Sequence, residues 1–308
     1  MATEPIQQTD NNTIVAINDK PSMNGALYVL RELLSNPITL FSLVVLIIVF
    51  LMAIFAPFIA PHDPIDQSLR LRTKPPFWME GSEPGYWLGT DALGRDILSR
   101  VMYGAQVSLI IGVAAVAIQG TIGVLVGLIA GYFGGLVDDV AMRLADIQQT
   151  IPFLVLAVVV AALLEPSLIN IVLVLGFTGW VTYGRVVRGQ VLSIRQREFV
   201  QAVHALGGNH MRIIFRHILP NTLASITVIG TLTVSTMILA EASLSFLGLG
   251  VPPPQPSWGG MIADGRDYLA TAWWVSIIPG AAIFLTVLAI NLLGDKLREL
   301  FDPTLKDD

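Results

Sequence analysis

Residues 201–221 read QAVHALGGNHMRIIFRHILPN, a basic stretch broken by two glycines and closed by a proline. Past Gly207 and Gly208, the residues Met211, Ile214, Phe215 and Ile218 recur at i, i+3, i+4 and i+7. That spacing predicts one apolar helix face, with Arg212 and Arg216 on another. Ahead of the glycines, Phe199, Val203 and Leu206 make a shorter stripe of the same kind. The stretch reads as two short amphipathic helices joined by a glycine hinge, with Pro220 at the start of the next apolar segment. Helices this short are marginal alone in water, so they need a surface to lie on. The pattern admits two surfaces, a lipid interface or a soluble partner protein.

The surroundings settle what kind of chain carries this piece. Of 308 residues, 54% are hydrophobic and only 13% are Asp, Glu, Lys or Arg, against roughly 25% charged in a soluble domain. So much apolar surface has to face lipid. Uncharged runs cover 38–60, 104–137, 147–164, 166–184, 218–240 and 268–294, each near the ~20 residues that a membrane-crossing helix needs. A seventh run, 242–263, holds Pro252, Pro253, Pro254 and Pro256; these would leave backbone groups unpaired in lipid, so it reads as a loop. The expectation is an all-α membrane protein of six transmembrane helices. The net charge of −5 points to no nucleic-acid partner, and without cysteine there is neither a disulfide framework nor a cysteine metal site.

Six crossings put both termini on one side. If that side is cytoplasmic, twelve Lys and Arg lie inside and six outside, which favours N-in. The chain then divides into a cytoplasmic segment 1–36, a first transmembrane helix 37–60, an external loop 61–103, a core of five transmembrane helices over 104–294 with the basic segment at 198–220, and a cytoplasmic tail 295–308. No small-residue cleavage site follows the first span, so it is expected to be retained. In the external loop, Leu93, Ile97 and Val101 form a stripe beside Arg95 and Arg100 and predict a helix lying on the outer surface.

Small and polar residues are patterned within the spans. Gly123, Gly127 and Gly131 recur every four residues and predict close helix packing, within this chain or against a second one. Thr227, Thr231 and Ser235 recur at the same interval, and the row continues to Ser245. It either lines a translocation path or packs, with its hydroxyls bonded back to the helix. Glu241 falls near the outer interface, as a snorkelling boundary residue or a contact in a vestibule. Arg143 and Asp146 are expected to pair across one helical turn. His210 and His217 are spaced to share a face, but no third ligand is near, and a solvated role is expected.

Catalytic signatures are missing. There is no G-x4-G-K-[ST], no G-x-G-x-x-G, no H-E-x-x-H and no G-x-S-x-G. No ionisable residue marks an ion relay in the first, second, fourth or sixth span, and no internal repeat appears, which argues against a self-sufficient secondary transporter.

The spacing of Gln201, Ala202, Val203, Gly207, His217, Leu219 and Pro220 resembles the E-A-A-x3-G-x9-I-x-L-P loop of ATP-binding cassette importer permeases. Gln201, Val203 and His217 depart from that pattern. GTDALGRDILSRVMYGAQVSL (89–109), LAEASLSFLGLGVPPPQPSWG (239–259) and NLLGDKLRELFDP (291–303) resemble the dipeptide/oligopeptide/nickel branch, C-type subunit. The resemblance implies the type I importer permease fold. It implies that Gln201, Ala202, Val203, Gly207, Arg212, Arg216, Leu219 and Pro220 belong to a coupling segment seated in a groove of a separate ATPase. It further implies two such ATPases, a second homologous permease, an external substrate-binding protein and a place in the cell's inner membrane. This chain would bind no cofactor, ATP and Mg being used by the ATPases. The cargo implied is a peptide, with nickel chelates, glutathione and opines on the same scaffold.

Overall fold

The structure, a computed structural model, describes residues 31–301. The expected segments 1–36 and 295–308 lie partly outside the described residues. The first long helix, α1 (Pro37–Ile59), starts where Asn36 accepts a hydrogen bond from the Ile38 amide and Pro37 opens the first turn. There follow α2 (Ile97–Phe133), α3 (Gly135–Thr150), α4 (Phe153–Leu163), α5 (Leu168–Thr178), α6 (Trp180–Ile194), α7 (Glu198–Ala205), α8 (His210–Phe246), α9 (Trp258–Gly265) and α10 (Trp274–Phe301).

Among the described residues, five stretches are long and apolar enough to cross a bilayer: α1, α2, α5 with α6, α8 and α10. The third expected span is different. Instead of one straight helix over 147–164, the chain forms α3 and α4, bent by 84° at their junction. Pro152 causes the break, because the residue before a proline is pushed out of the helical region, and Ile151 is extended at φ −93° and ψ 122°. The 11 residues of α4 span only about 16 Å, roughly half the hydrocarbon thickness. The two helices nevertheless share one crossing. The start of α3 adjoins the end of α2, while Pro166, just past α4, lines a cavity with Ser245 and Pro253 at the opposite end of the bundle. The fourth crossing also departs from its uncharged run, since α6 carries Arg185 and Arg188 inside the helix. Their charges are met by Asp146 and Asp138 of α3.

Helix α2 is the hub and packs against α1, α5, α6 and α8. Its glycine row faces α6 of the same chain. A Cβ on Gly123 would lie 2.3 Å from the Trp180 carbonyl, one on Gly127 2.6 Å from the Gly184 carbonyl, and one on Gly131 2.8 Å from Val191 Cβ. Only glycine admits so close an approach. Helix α1 is peripheral. Its buried residues Thr39, Ser42, Leu46, Val49, Ala53 and Ala56 form one stripe against α2 and α10, and the rest of its surface is apolar and exposed. That exposure is what a lipid-facing helix requires.

At one end of the bundle, here called the loop end, no separate surface helix forms. Ile97 and Val101 belong to the first turns of α2, which Asp96 caps by accepting from the Ser99 amide. The segment from 61 to 96 is instead folded down by charge. Arg95 Nε donates to Asp91 at 2.6 Å, Arg95 Nη2 donates to Asp264 of α9 at 3.1 Å, and Arg100 approaches both carboxylates at 3.5 Å. Arg95 and Arg100 are nearly fully buried, so they stabilise the fold only because they are paired. The run 242–263, expected as a loop, is helical at both ends: its first residues complete α8 as far as Phe246, the prolines lie in a loop that ends at Ser257, and α9 follows, whose buried Trp258 donates to the Val101 carbonyl at 2.9 Å. At the other, basic end, Lys296 meets Glu32 at 3.6 Å, so both ends of the described chain lie there together.

Candidate functional site

The basic end is built around the 201–221 stretch. Helix α7 finishes with the Gly208 amide donating to the Val203 carbonyl and Gly207 at φ +77°. This is a Schellman termination, which needs a left-handed residue at the Gly207 position. No atom lies within 4 Å of a Cβ placed on Gly207, so that side of the turn is open. Asn209 then caps α8 by accepting from the Met211 amide.

The predicted apolar stripe of α8 is split. Ile213, Ile214 and Ile218 are buried, whereas Met211 and Phe215 are exposed. The reason is a π-helical turn over Ile213–Ile218, in which the Leu219 amide reaches back to the Ile214 carbonyl. The extra residue shifts the phase of the face, and the widened turn accommodates Pro220, which lacks a donor and would crowd the Arg216 carbonyl in a regular helix. In α7 it is Val200 that is buried, with Phe199 exposed and Leu206 88% exposed. Phe199, Leu206, Met211 and Phe215 thus present apolar surface around the elbow, beside exposed Ala202, Arg212 and Arg216. Gln201 is exposed and bonds back to the Gln196 carbonyl, Val203 and Leu219 are half-buried, and Pro220 is exposed.

The elbow is tied to the bundle. Arg195 donates to the carbonyls of Gly131 and Tyr132, capping the open end of α2. The Tyr132 hydroxyl lies 2.8 Å from His210 Nδ1, while His217 leaves its carbonyl to Asn221. The expected Arg143–Asp146 pair does not form; Asp146 instead accepts from Arg185 at 2.7 Å. Helix α3 lies along α6, and this partner across the interface is better placed than the one in its own helix.

The hydroxyl row of α8 divides. Thr227 and Thr231 bond back to the carbonyls four residues earlier. Ser235 is buried and reaches both the Leu232 carbonyl of its own helix at 2.7 Å and Asn291 Oδ1 of α10 at 2.8 Å. Glu241 is no snorkelling boundary residue. It is fully buried, accepting from Ser245 at 2.7 Å and from Ser108 of α2 at 3.3 Å. Two serines from two helices satisfy a carboxylate that would otherwise have to reach water.

A cavity of about 590 Å³ lies in the middle of the bundle, where the α3–α4 break meets the junction of α5 and α6. Gln119, Gln148, Gln149, Thr182 and Thr236 line it, and no charged residue does among the described residues. Sequence reasoning passed over these side chains because a search for charge does not register amides. The available signal was polar: Gln119 is one of two amides in the uncharged run of α2, with Gln106, and Gln148-Gln149 stands just before Pro152.

A helical bundle with this apolar periphery and these crossings defines an integral membrane protein. The family described as "Binding-protein-dependent transport system inner membrane component" matches residues 123–307, and the "N-terminal TM domain of oligopeptide transport permease C" matches residues 27–76. The chain belongs to this family of transport-system membrane components and has its type I importer permease fold. It is similar to the di/tripeptide transport system permease protein DppC of Pseudomonas aeruginosa, with 46% identity over 86% of this chain and 87% of that one. It also resembles the oligopeptide transport system permease protein OppC of Bacillus subtilis, at 41% identity over 88% and 87%. The probable D,D-dipeptide transport system permease protein DdpC of Escherichia coli is 40% identical over 96% of this chain and 97% of that one.

Proposed function

We propose that this chain is the permease subunit of an ATP-driven importer of short peptides, forming half of the path and hydrolysing nothing itself. A cytoplasmic ATPase subunit docks on the elbow at the basic end, one on this chain and one on a second, homologous permease. A substrate-binding protein delivers cargo at the loop end, and both termini face the cytoplasm. The observation that carries this reading is mechanical. The exposed elbow of Ala202, Leu206, Gly207, Met211 and Phe215 is covalently continuous with α8, which crosses the whole bundle. A push on the elbow is therefore delivered to the middle of the membrane. The names of the relatives support peptide as cargo; nickel chelates, glutathione and opines are the alternatives.

The test is reconstitution of the chain in proteoliposomes with its ATPases, second permease and binding protein. ATP-dependent accumulation of di- or tripeptide is expected. Uphill transport by this chain alone, or accumulation of a metal chelate in place of peptide, would overturn the reading.

A further inference from the structure

Buried polar groups in a membrane bundle are ordinarily paired, because an unmet donor at that depth is costly. Gln119 is only 1% exposed and its Nε2 has no hydrogen-bond partner. It lies about 21 Å along α2 from the Phe133 end. Its neighbour Gln148 is fully engaged, donating to the Thr178 carbonyl and accepting from Trp180 Nε1, both at 2.6 Å. Gln148 therefore holds the wall, whereas Gln119 has a free donor. The backbone has made room for it: a Cβ on Gly179 would lie 1.8 Å from Gln119 Oε1.

Two helix breaks open on this same cavity, at Ile151-Pro152 and at Gly179. Irregular backbone is tolerated at membrane depth only where it is buried in protein or lines a cavity. Its volume of about 590 Å³ falls within the ~300–1,000 Å³ of small-molecule sites. With no charged residue in its wall, it neither selects nor traps a cargo by charge. An amide both donates and accepts, so it complements a peptide group in either chain direction.

We propose that this cavity reads the peptide backbone. The Gln119 Nε2–H donates to a backbone carbonyl of the passing cargo, and Gln149, Thr182 and Thr236 supply the remaining polar contacts. Cargo is then recognised in the membrane by its amide groups, independently of side-chain charge. This rests on the reading of the chain as a peptide permease.

The experiment uses the complete transporter in proteoliposomes, with alanyl-alanine and its thioamide counterpart, whose sulfur is a weaker acceptor, presented by the same binding protein. Gln119→Met keeps length and removes the amide. It is expected to lower alanyl-alanine uptake about 3- to 10-fold, the size of one neutral hydrogen bond, and to bring the amide-to-thioamide ratio towards one. ATPase stimulation by the loaded binding protein should persist. Unchanged uptake, or equal loss for both cargoes at an unchanged ratio, would overturn the inference, the latter assigning Gln119 to wall packing alone. If Gln119→Met does not assemble, Gln119→Asn, which keeps an amide but withdraws it by one methylene, is expected to lower the same ratio, and an unchanged ratio there sinks the proposal. Wild-type transporter that moves no peptide removes the functional reading, and this inference with it; wild type that works beside an indifferent Gln119→Met removes only the inference.

Discussion

Arg188 of α6 grips Asp138 of α3 with two parallel hydrogen bonds, Nε to Oδ1 and Nη2 to Oδ2, the second at 2.6 Å. The fork matches the carboxylate, a geometry that lysine cannot reproduce. Arg188→Lys is therefore expected to destabilise the purified protein by about 1–2 kcal/mol, with the charge retained. Arg185→Gln breaks a far more exposed pair with Asp146 and should cost less than about 1 kcal/mol. Thermal unfolding in detergent checks both, and equal losses would show that the bidentate pair has no special weight.

Gly127 has the Gly184 carbonyl 2.6 Å from where its Cβ would stand. Gly127→Val must spread α2 from α6, and a loss of about 1–3 kcal/mol or more is expected. Gly189 sits in the same α6 with nothing within 4 Å of its Cβ position, so Gly189→Ala should be neutral or stabilising. Comparing the yields and melting temperatures of the two variants separates close packing from a general intolerance of larger side chains.

At Gly207 the open surroundings and the φ of +77° make opposite demands: space permits a side chain, but the backbone angle penalises one. Gly207→Asn should be tolerated, because asparagine visits the left-handed region. Gly207→Val should insert and fold yet lose uptake, as the elbow changes shape. Normal transport by the valine variant would count against the elbow as the point where force enters.

Glu241 accepts from Ser245 and Ser108. Glu241→Gln keeps an acceptor of the same shape and should stay close to wild type in stability. Glu241→Ala leaves both hydroxyls short of a partner and opens a void, at about 2–4 kcal/mol. Unfolding midpoints measured side by side would decide, and an alanine variant as stable as the glutamine one would show that the buried carboxylate is dispensable.

Much of the fold was readable in the sequence, and the failures share a cause. Uncharged runs located α1, α2, α8 and α10 because a lipid-facing helix cannot afford charge. They misplaced the boundary of α6, since Arg185 and Arg188 are neutralised by Asp146 and Asp138 on another helix, a pairing invisible in one dimension. The same blindness produced the surface helix expected around Arg95 and Arg100, which are buried ion-pair partners of Asp91 and Asp264. Pro152 was in plain sight inside its run, yet the run was read as one span and the bend of α3 against α4 was missed. At the elbow, the glycine turn was legible from Gly207-Gly208, but strict helical spacing misassigned Met211 and Phe215 because a π-helical turn resets the phase. Glu241 was given the wrong surroundings, because the serines that satisfy it are contributed by packing.

The interlocked backbones of α2 and α6 restrict how this molecule can deform. Each bare position on one rod receives a carbonyl or branched side chain of the other, like a key in its wards, so neither rod can roll about its axis without collision. The two must travel as a single girder. In the proposed import cycle, the swing is left to the parts hinged upon it: the broken limb at Pro152 on one flank, and the long shaft rising from Asn209 on the other.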